Sequence, residues 1–402
     1  MKKITFIHAA DLHLDSPFVG LRHLPQPIME QMKEAIFVSF QRIVQAAIDR
    51  QVDFLLLAGD LFDGENRNLR TQVRLRNEME RLKENSIDVY IIHGNHDHLG
   101  GSWIDIRQPE NVHIFKEHFD VMTWKKEGAT VHIYGYSYPT QHVKDRIIQH
   151  YRKKEGADYH IGMLHGNLQG ETEHGQYAPF TLAELQEKQF DYWALGHIHK
   201  RQELLQSPPV IYPGNIQGRS RKETGMKGCY YVELEGRQSS FEFIATSPIV
   251  WESLDVEFKE NETFDDLFTA CRAAIQEKRD NRYQVLASIM VHSANTALHT
   301  SSYIEDLLQL LQEEEEKQPQ FVFPVQLRVE QEQTALLQQP VMALIHQHEW
   351  TQQEIDQAVR PIFKHSLGRK YIDTLTSDEK RELKEEAEKL LALELSIGGE
   401  KS

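Results

Sequence analysis

Short apolar, β-branched segments recur along the first part of the chain, and helical patterns separate several of them. The segments are ITFIHA, VDFLLLAGD, DVYIIHG, VHIYGYS, YHIGMLHG, YWALGH, PVIYPG, CYYVELEG and FEFIA. Two long amphipathic patterns, IMEQMKEAIFVSFQRIVQAAIDRQ and TQVRLRNEMERLKEN, lie between the early ones. Strands that alternate with helices indicate an α/β layered domain. The pattern predicts that this domain covers residues 1–247.

Two further regions follow, as expected because 402 residues exceed one ordinary core. Strand WESLDVEF, helix TFDDLFTACRAAIQEKR, strand YQVLASIMVH, helix SSYIEDLLQLLQEEEE and strand FVFPVQLRV predict a small α+β domain at 248–331. No strand signal remains at 332–402, where apolar residues recur at helical spacing. We therefore expect a helical tail, which packs either on the domains or on a partner helix.

Charge and cysteine usage narrow the class of protein. A net charge of -16 argues against passive binding to nucleic acid, although basic runs occur at 151–154 and 218–228. Cys229 and Cys271 lie far apart and in no metal-like spacing, which favours a reducing cytoplasm over a disulfide scaffold. No apolar run approaches the roughly 18 residues that would cross a bilayer. We expect a cytoplasmic protein with no membrane partner.

Five predicted strands are each followed by Asp, Asn or His side chains. The motifs are Asp11-Leu-His13, Gly59-Asp60-Leu-Phe-Asp63, Gly94-Asn95-His96-Asp97, His165-Gly-Asn167 and Gly196-His197-Ile-His199. Each motif alone is compatible with a polar turn or a helix cap. Because ligand sites in open α/β sheets gather outside the carboxyl ends of strands, all five together predict a single site.

The donor atoms of these motifs indicate a class of metal. Carboxylate, amide and imidazole groups without a thiol suit Mn²⁺, Fe²⁺ or Zn²⁺ better than Ca²⁺. The candidate ligands are too many for one ion. Two ions about 3.5–4 Å apart that share a carboxylate would use them all, and such a pair suits displacement at phosphorus. We expect two divalent ions, with Mn²⁺ the leading candidate.

In this order, D-x-H, GD-x-x-D, GNHD, H and GH-x-H resemble the motifs of the calcineurin-like metallophosphoesterases. The resemblance covers about residues 1–245. The segments FIHAADLHLDSPF, LLLAGDLFD, IIHGNHD, LGHIHK and IYPGN are also similar to SbcD-type DNA-repair exonucleases. The resemblance implies an α/β fold, a four-layer β-sandwich flanked by helices. A small α+β capping domain and a helical C-terminal tail would follow it.

The resemblance also implies roles for individual residues. One metal would be bound by Asp11, His13, Asp60 and His199. The other would be bound by Asp60, Asn95, His165 and His197, so that Asp60 bridges the two.

Three residues of the same motifs would act beside the metals. His96 would face the scissile phosphate and assist departure of the 3′ oxygen, leaving a 5′-phosphate. Asp63 would orient His96, and Asp97 would hold the loop. His8 and His93 are expected to be structural.

The resemblance implies a DNA nuclease that works with a Rad-fifty-like (SbcC-like) coiled-coil ATPase, which the C-terminal helices would bind. It also implies a homodimer. Arg219, Arg221 and Lys222 follow the PGN loop and are candidates for phosphate contacts, as is Lys227, although a solvated loop explains the run equally well. Two other functions remain open, namely a small-molecule or phosphoprotein phosphoesterase and a DNA-binding assembly subunit with secondary catalysis.

Overall fold

The structure is a computed structural model that describes residues 2–16, 24–64, 68–101, 104, 106–126, 128–170, 176–259, 262–293, 303–330 and isolated positions beyond. Its strands are β1 (Lys3–Ala9), β2 (Phe54–Ala58), β3 (Asp88–Ile92), β4 (Val112–Ile114), β5 (Asp120–Lys126), β6 (Ala129–Gly135), β7 (Tyr159–His165), β8 (Tyr192–Gly196), β9 (Gln202–Gln206), β10 (Pro209–Tyr212), β11 (Gly228–Glu235), β12 (Gln238–Ala245), β13 (Ile249–Phe258), β14 (Gln284–Ser293) and β15 (Val322–Glu330). Its helices are α1 (Gln26–Asp49), α2 (Leu69–Glu84), α3 (Leu182–Glu187), α4 (Phe264–Glu277) and α5 (Tyr303–Glu315).

Two six-stranded sheets form the body of the fold. The first has the order β12-β11-β1-β2-β3-β4, and the second has the order β5-β6-β7-β8-β10-β9. Strands β1 to β4 run parallel to one another, as do β6, β7, β8 and β10. The strands that carry the five motifs are thus parallel neighbours within their own sheets.

The alternation of side chains along β1 explains how the two sheets pack. Ile4 and Phe6 face the second sheet, whereas Ile7 and Ala9 face the helices on the other side. Helix α1 covers this outer face with Phe40 and neighbouring apolar residues, and α2 packs beside it. Another apolar cluster covers the outer face of the second sheet and includes residues of α3. This arrangement confirms the predicted layered sandwich flanked by helices.

Three strands of the sandwich were absent from the sequence-based prediction. They are β4, β5 and β9, and each lies at the edge of its sheet. Edge strands expose much of their surface, and the half-exposed sequences VHI, DVMTWKK and QELLQ contain no continuous apolar run. These segments form strands because they pair with a neighbouring strand of the sheet.

A three-stranded sheet of order β13-β14-β15 follows the sandwich, with α4 and α5 between its strands. Thr263 begins α4 with a reciprocal capping box to Asp266, as Ser/Thr-x-x-acid patterns predict. All five predicted elements of this region are therefore present. Its sheet packs against Met32 of α1 through Trp251 and Phe323.

The chain divides into two compact units. The first comprises Met1–Glu257, Glu262–Val291 and Ser301–Arg328, and the second comprises Phe258–Asn261, His292–Thr300 and Val329–Ser402. A boundary at residue 247 between catalytic and capping domains stays a prediction. The tail at 332–402 lies outside the described residues, except for isolated helical positions. None of the helices among the described residues is long and apolar enough to cross a membrane.

Candidate metal centre

The five sequence motifs meet at one end of the sandwich. Backbone hydrogen bonds join the loops within each sheet, from Asp11 N to Gly59 O at 3.0 Å and from Gly166 N to Gly196 O at 3.1 Å. Across the sheets, Nδ1 of His165 lies 3.0 Å from the carbonyl oxygen of Ala58. The predicted convergence of the strand ends is thus present in the structure.

Asp11, His13 and His199 form what we call the first metal cluster. Each offers a donor atom within 4.8 Å of the other two. Nε2 of His13 lies 3.1 Å from Nε2 of His199. Asp11 and His13 are buried, whereas the side chain of His199 is 27% exposed, which leaves the cluster open to one side.

Asp60, Asn95, His165 and His197 form the second metal cluster. The donor atoms of Asp60, His165 and His197 lie within 4.8 Å of one another. Oδ1 of Asn95 lies 3.1 Å from Nε2 of His165 and 3.1 Å from Nδ1 of His197. Asp60, Asn95 and His165 are buried, whereas His197 is half-buried.

Asp60 connects the two clusters. Its Oδ2 lies 3.3 Å from Nε2 of His165 in the second cluster and 4.0 Å from Nε2 of His13 in the first. Its Oδ1 accepts a hydrogen bond from the backbone nitrogen of His96 at 2.9 Å. A carboxylate between two groups of ligands has the position that a bridging ligand requires.

The backbone is strained where it presents these side chains. Asp11, His13, Asp60 and His197 have φ angles of 51°, 46°, 51° and 101°, in the left-handed region. Such conformations are uncommon for residues other than glycine and cost about 1–3 kcal/mol each. Their concentration at one site indicates that the fold holds these candidate ligands in place at the expense of stability.

Gly94 lets the two sheets approach each other at the site. A Cβ atom at this position would lie 2.3 Å from Oδ1 of Asp60 and 2.6 Å from Nε2 of His165. Both distances are far below contact, so a side chain here would displace two candidate ligands. The glycine of the GNHD motif is therefore a requirement of the site.

Burial and close charges shift the pKa values of the clustered groups. Burial raises the pKa of Asp11 to about 6 and lowers that of His13 to about 4. Burial alone would lower the pKa of His165, but the carboxylate of Asp60 outweighs it and raises the pKa to about 9. His165 in turn holds the pKa of Asp60 well below its usual range, although burial opposes this. Protons would therefore compete with a metal ion for these groups.

The donors fit a pair of divalent ions. Two ligands that bind one ion at about 2.0–2.2 Å are separated by roughly 3 Å when the bonds lie near right angles. The contacts of 3.1 Å between His13 and His199, and between Asn95 and each of His165 and His197, have this spacing. Imidazole, carboxylate and amide donors also suit the metals expected from the sequence.

The loop after β3 is held by Asp97. Its carboxylate accepts hydrogen bonds from the backbone nitrogens of Leu61 at 3.0 Å and Gly94 at 2.8 Å. Nδ1 of His93 lies 2.8 Å from the same carboxylate. Asp97 and His93 thus fasten the Asn95 loop to the Asp60 loop, which agrees with the structural roles expected for them.

His96 projects from this loop into the open side of the site, with 39% of its side chain exposed. Its Nδ1 lies 3.3 Å from the backbone carbonyl of Asp63 and 3.5 Å from the Asp63 carboxylate. The same carboxylate is closer to Nδ1 of His13, at 2.8 Å. The carboxylate of Asp63 is therefore shared between His96 and the candidate metal ligand His13.

The basic residues after the PGN loop contact protein groups, and the phosphate contacts expected of them stay a prediction. Nη1 of Arg219 donates to Asp63 at 3.0 Å and to Ser16 at 2.7 Å, so this guanidinium turns inward. Arg221 donates to Gln326, and Lys227 donates to the backbone carbonyl of His199. Arg219, Arg221 and Lys227 therefore all contact protein groups in this structure.

Glu223 was missed by sequence reasoning. Its Oε1 lies 2.7 Å from Nδ1 of His199, and its Oε2 accepts from the backbone nitrogen of Arg219 at 2.6 Å. The side chain is 15% exposed. In the sequence, Glu223 interrupts a basic run that follows the GH-x-H motif. An acidic residue at such a position was the signal that could have pointed to its role.

Comparisons with known proteins agree with this geometry. The profile of the calcineurin-like phosphoesterase family matches residues 4–201, which contain all five motifs. The chain is 39% identical over 402 residues to the uncharacterized metallophosphoesterase YhaO of Bacillus subtilis, with 98% of each chain covered. It therefore belongs to the calcineurin-like metallophosphoesterase family, metal-dependent hydrolases that use a dinuclear divalent metal site.

More distant relatives are DNA double-strand break repair proteins named Mre11. The protein of Methanocaldococcus jannaschii is 27% identical over 285 residues, with 65% of this chain and 71% of the relative covered. That of Methanopyrus kandleri is 25% identical over 276 residues, with 59% and 56% covered. The similarity to Mre11 thus extends over part of each chain, whereas that to YhaO extends over nearly all of it.

Proposed function

We propose that this protein is a two-metal-dependent DNA nuclease that hydrolyses phosphodiester bonds, acting as an exonuclease on duplex ends. The observation that carries the proposal is the position of Asp60 between two clusters of ligands. That arrangement suits in-line displacement at phosphorus, where attacking and leaving oxygens both develop charge. DNA as the substrate is supported by the relatives named for double-strand break repair.

The residues of the two metal clusters would hold the ions. Asp11, His13 and His199 would bind one, and Asn95, His165 and His197 the other, with Asp60 shared. When bound, the ions would activate water and neutralise charge on the phosphate oxygens. The mixture of oxygen and nitrogen donors favours Mn²⁺, with Fe²⁺ or Zn²⁺ as alternatives.

His96 would act on the leaving group. Because the Asp63 carbonyl can only accept, Nδ1 of His96 donates the hydrogen bond between them. That leaves Nε2 to face the open side of the site. As an imidazolium, His96 would donate its Nε2 proton to the departing 3′ oxygen. Asp63, at 3.5 Å, would hold the ring in place.

The setting of the reaction is part of the same proposal. A Rad-fifty-like coiled-coil ATPase would bind the tail at 332–402, which the sequence predicts to be helical, and two copies of the chain would form the working unit. The Mre11 relatives and the additional residues after the catalytic segment support a macromolecular substrate. Cys229 and Cys271 are free and buried, which suits the cytoplasm.

The decisive experiment is Mn²⁺-dependent digestion of end-labelled linear duplex DNA. The purified chain would be compared with Asp60→Ala, with Asp158→Ala as a surface control, and with a bis-aryl phosphate as a small diester. We expect the wild type and Asp158→Ala to cut DNA, and Asp60→Ala to cut it at least about 100-fold more slowly. Removing a residue that merely supports a metal ligand already lowers activity by about 10–100-fold.

Two outcomes would favour other functions. If the small diester is hydrolysed while the DNA stays uncut, even after the ATPase partner is added, the protein is a small-molecule phosphodiesterase. Binding of DNA without cleavage of either substrate would indicate an assembly subunit.

A further inference from the structure

Both imidazoles of the first metal cluster have a carboxylate behind them. Nε2 of His13 and Nε2 of His199 face each other, so their Nδ1 atoms point away from the shared site. Asp63 lies 2.8 Å from Nδ1 of His13, and Glu223 lies 2.7 Å from Nδ1 of His199. A carboxylate at this position selects the tautomer whose Nε2 lone pair is free to bind a metal.

Arg219 joins the two carboxylates into one unit. Its Nη1 contacts Asp63 at 3.0 Å, and its backbone nitrogen donates to Glu223 at 2.6 Å. Lys227 fixes the other end of His199 by donating to its backbone carbonyl at 3.2 Å. His199 is therefore held at both its main chain and its ring, and the carboxylates of Asp63 and Glu223 lie directly behind the two imidazoles of the cluster.

The second metal cluster is supported differently at His165. Nδ1 of this ring lies 3.0 Å from the backbone carbonyl of Ala58. A neutral carbonyl group orients an imidazole ring. An imidazole that is hydrogen-bonded to a carboxylate is more basic and therefore binds a metal more strongly. The amide of Asn95, also neutral, is another ligand of this cluster. The imidazoles of the first cluster thus have charged carboxylates as hydrogen-bonding partners, whereas His165 in the second cluster has a neutral carbonyl group.

We propose that Glu223 is a positioning residue that, with Asp63, makes the first metal cluster the tighter of the two metal sites. The inference rests on the proposed metal centre. The centre would then fill in order, with an ion held permanently at the first cluster and a more exchangeable ion at the second. Glu223 touches neither ion nor substrate and acts through His199.

Mn²⁺ titration followed by electron paramagnetic resonance would test this without any measurement of catalysis. The wild type should show a tight and a weak class of site. Glu223→Gln keeps the size and the acceptor oxygen but removes the charge, and it should weaken the tight class about 10-fold. Glu223→Ala removes both and should weaken it by up to about 100-fold. The weak class should be unchanged in both variants.

Two controls make the result specific. Glu184→Gln changes another partly buried glutamate paired with an arginine, Arg146, away from the metal centre, and should leave both classes unchanged. His197→Ala removes a ligand of the second cluster and should weaken only the weak class. Thermal unfolding in excess chelator would show that the variants compared are folded.

The outcomes separate this inference from the proposed function. Two classes of bound Mn²⁺ with a tight class that does not respond to Glu223→Gln would overturn the role of Glu223 and leave the metal centre standing. A tight class lost in His197→Ala instead would reverse the order of the two sites. A wild type that binds no Mn²⁺ would overturn the metal centre as well.

Discussion

Oδ1 of Asp63 lies 2.8 Å from Nδ1 of His13 and 3.5 Å from Nδ1 of His96. One carboxylate thus contacts a candidate metal ligand and the candidate general acid. Burial alone would raise the pKa of Asp63, but His13 and Arg219 hold it far below its usual range. Asp63 therefore remains charged throughout the range in which such an enzyme works.

Variants of His96 and Asp63 should separate the two contacts. His96→Gln should lower the rate of phosphodiester hydrolysis by about 10²–10⁴-fold, the usual contribution of a general acid, and leave Mn²⁺ affinity unchanged. Asp63→Asn should lower both, because it also removes the partner of His13. Rates and Mn²⁺ titrations on the same preparations would check this. Weaker Mn²⁺ binding in His96→Gln would make His96 part of the metal site instead.

Gly94→Ala should damage the metal centre by overcrowding it. The added Cβ would lie 2.3 Å from Asp60 and 2.6 Å from His165, so the ligands must move. We expect Mn²⁺ affinity to fall at least about 10-fold and stability to fall by about 1–3 kcal/mol. Gly64→Ala is the matched control, because a Cβ there would meet nothing within 4 Å. Equal effects of the two variants would contradict the steric explanation.

The ion pair between Arg279 and Glu315 should stabilise the α4–α5 region without affecting the metals. Glu315 is buried, lies 2.6 Å from Arg279 and also accepts from the backbone nitrogen of Val322. Arg279→Gln should destabilise the protein by about 2–3 kcal/mol, since it leaves a buried charge without its partner. Arg272→Gln, in an exposed pair with Glu314, should cost less than about 1 kcal/mol. Urea unfolding and Mn²⁺ titration would measure both properties.

His8 should make stability depend on pH. It connects the two sheets, since its ring nitrogens contact the hydroxyl of Tyr192 at 3.0 Å and the carbonyl of Leu195 at 3.2 Å. Burial lowers its pKa from 6.5 to about 3. Between these values the unfolded chain binds a proton that the folded chain does not. Stability should therefore fall as pH decreases from 6.5, by at most about 1.4 kcal/mol per unit for this group.

The comparison variant for this prediction is His8→Gln. At pH 7.5 the wild type should be the more stable, and its advantage should shrink steadily as urea unfolding is repeated at pH 6.5, 5.5 and 4.5. His118→Gln, at an exposed position, should follow the wild type at every pH. An advantage of the wild type that stays constant with pH would show that His8 does not titrate on unfolding.

The arrangement of elements was largely predictable because burial leaves a periodic trace. Helix α1 has apolar residues at every third or fourth position. Strand β2 is a continuous apolar run, as expected for a strand that is buried on both faces. The edge strands β4, β5 and β9 leave no such trace. Their residues are partly exposed, and their pairing is decided by neighbours distant in sequence.

The candidate ligands were predictable for a related reason. Each stands at the carboxyl end of an apolar strand, and parallel strands bring those ends to one edge of the fold. The amino-acid sequence by itself thus determined which side chains meet in the centre. Their oxygen and nitrogen atoms also indicate a divalent metal site.

Only the tertiary structure decided how those side chains are held. It placed Glu223 behind His199, turned Arg219 inward to Asp63 and shared Asp63 between His13 and His96. These partners come from loops far apart in the chain, and no short motif joins them. Their contacts depend on distances of a few ångströms between separate loops, which the packing of the two sheets sets and no local sequence pattern records.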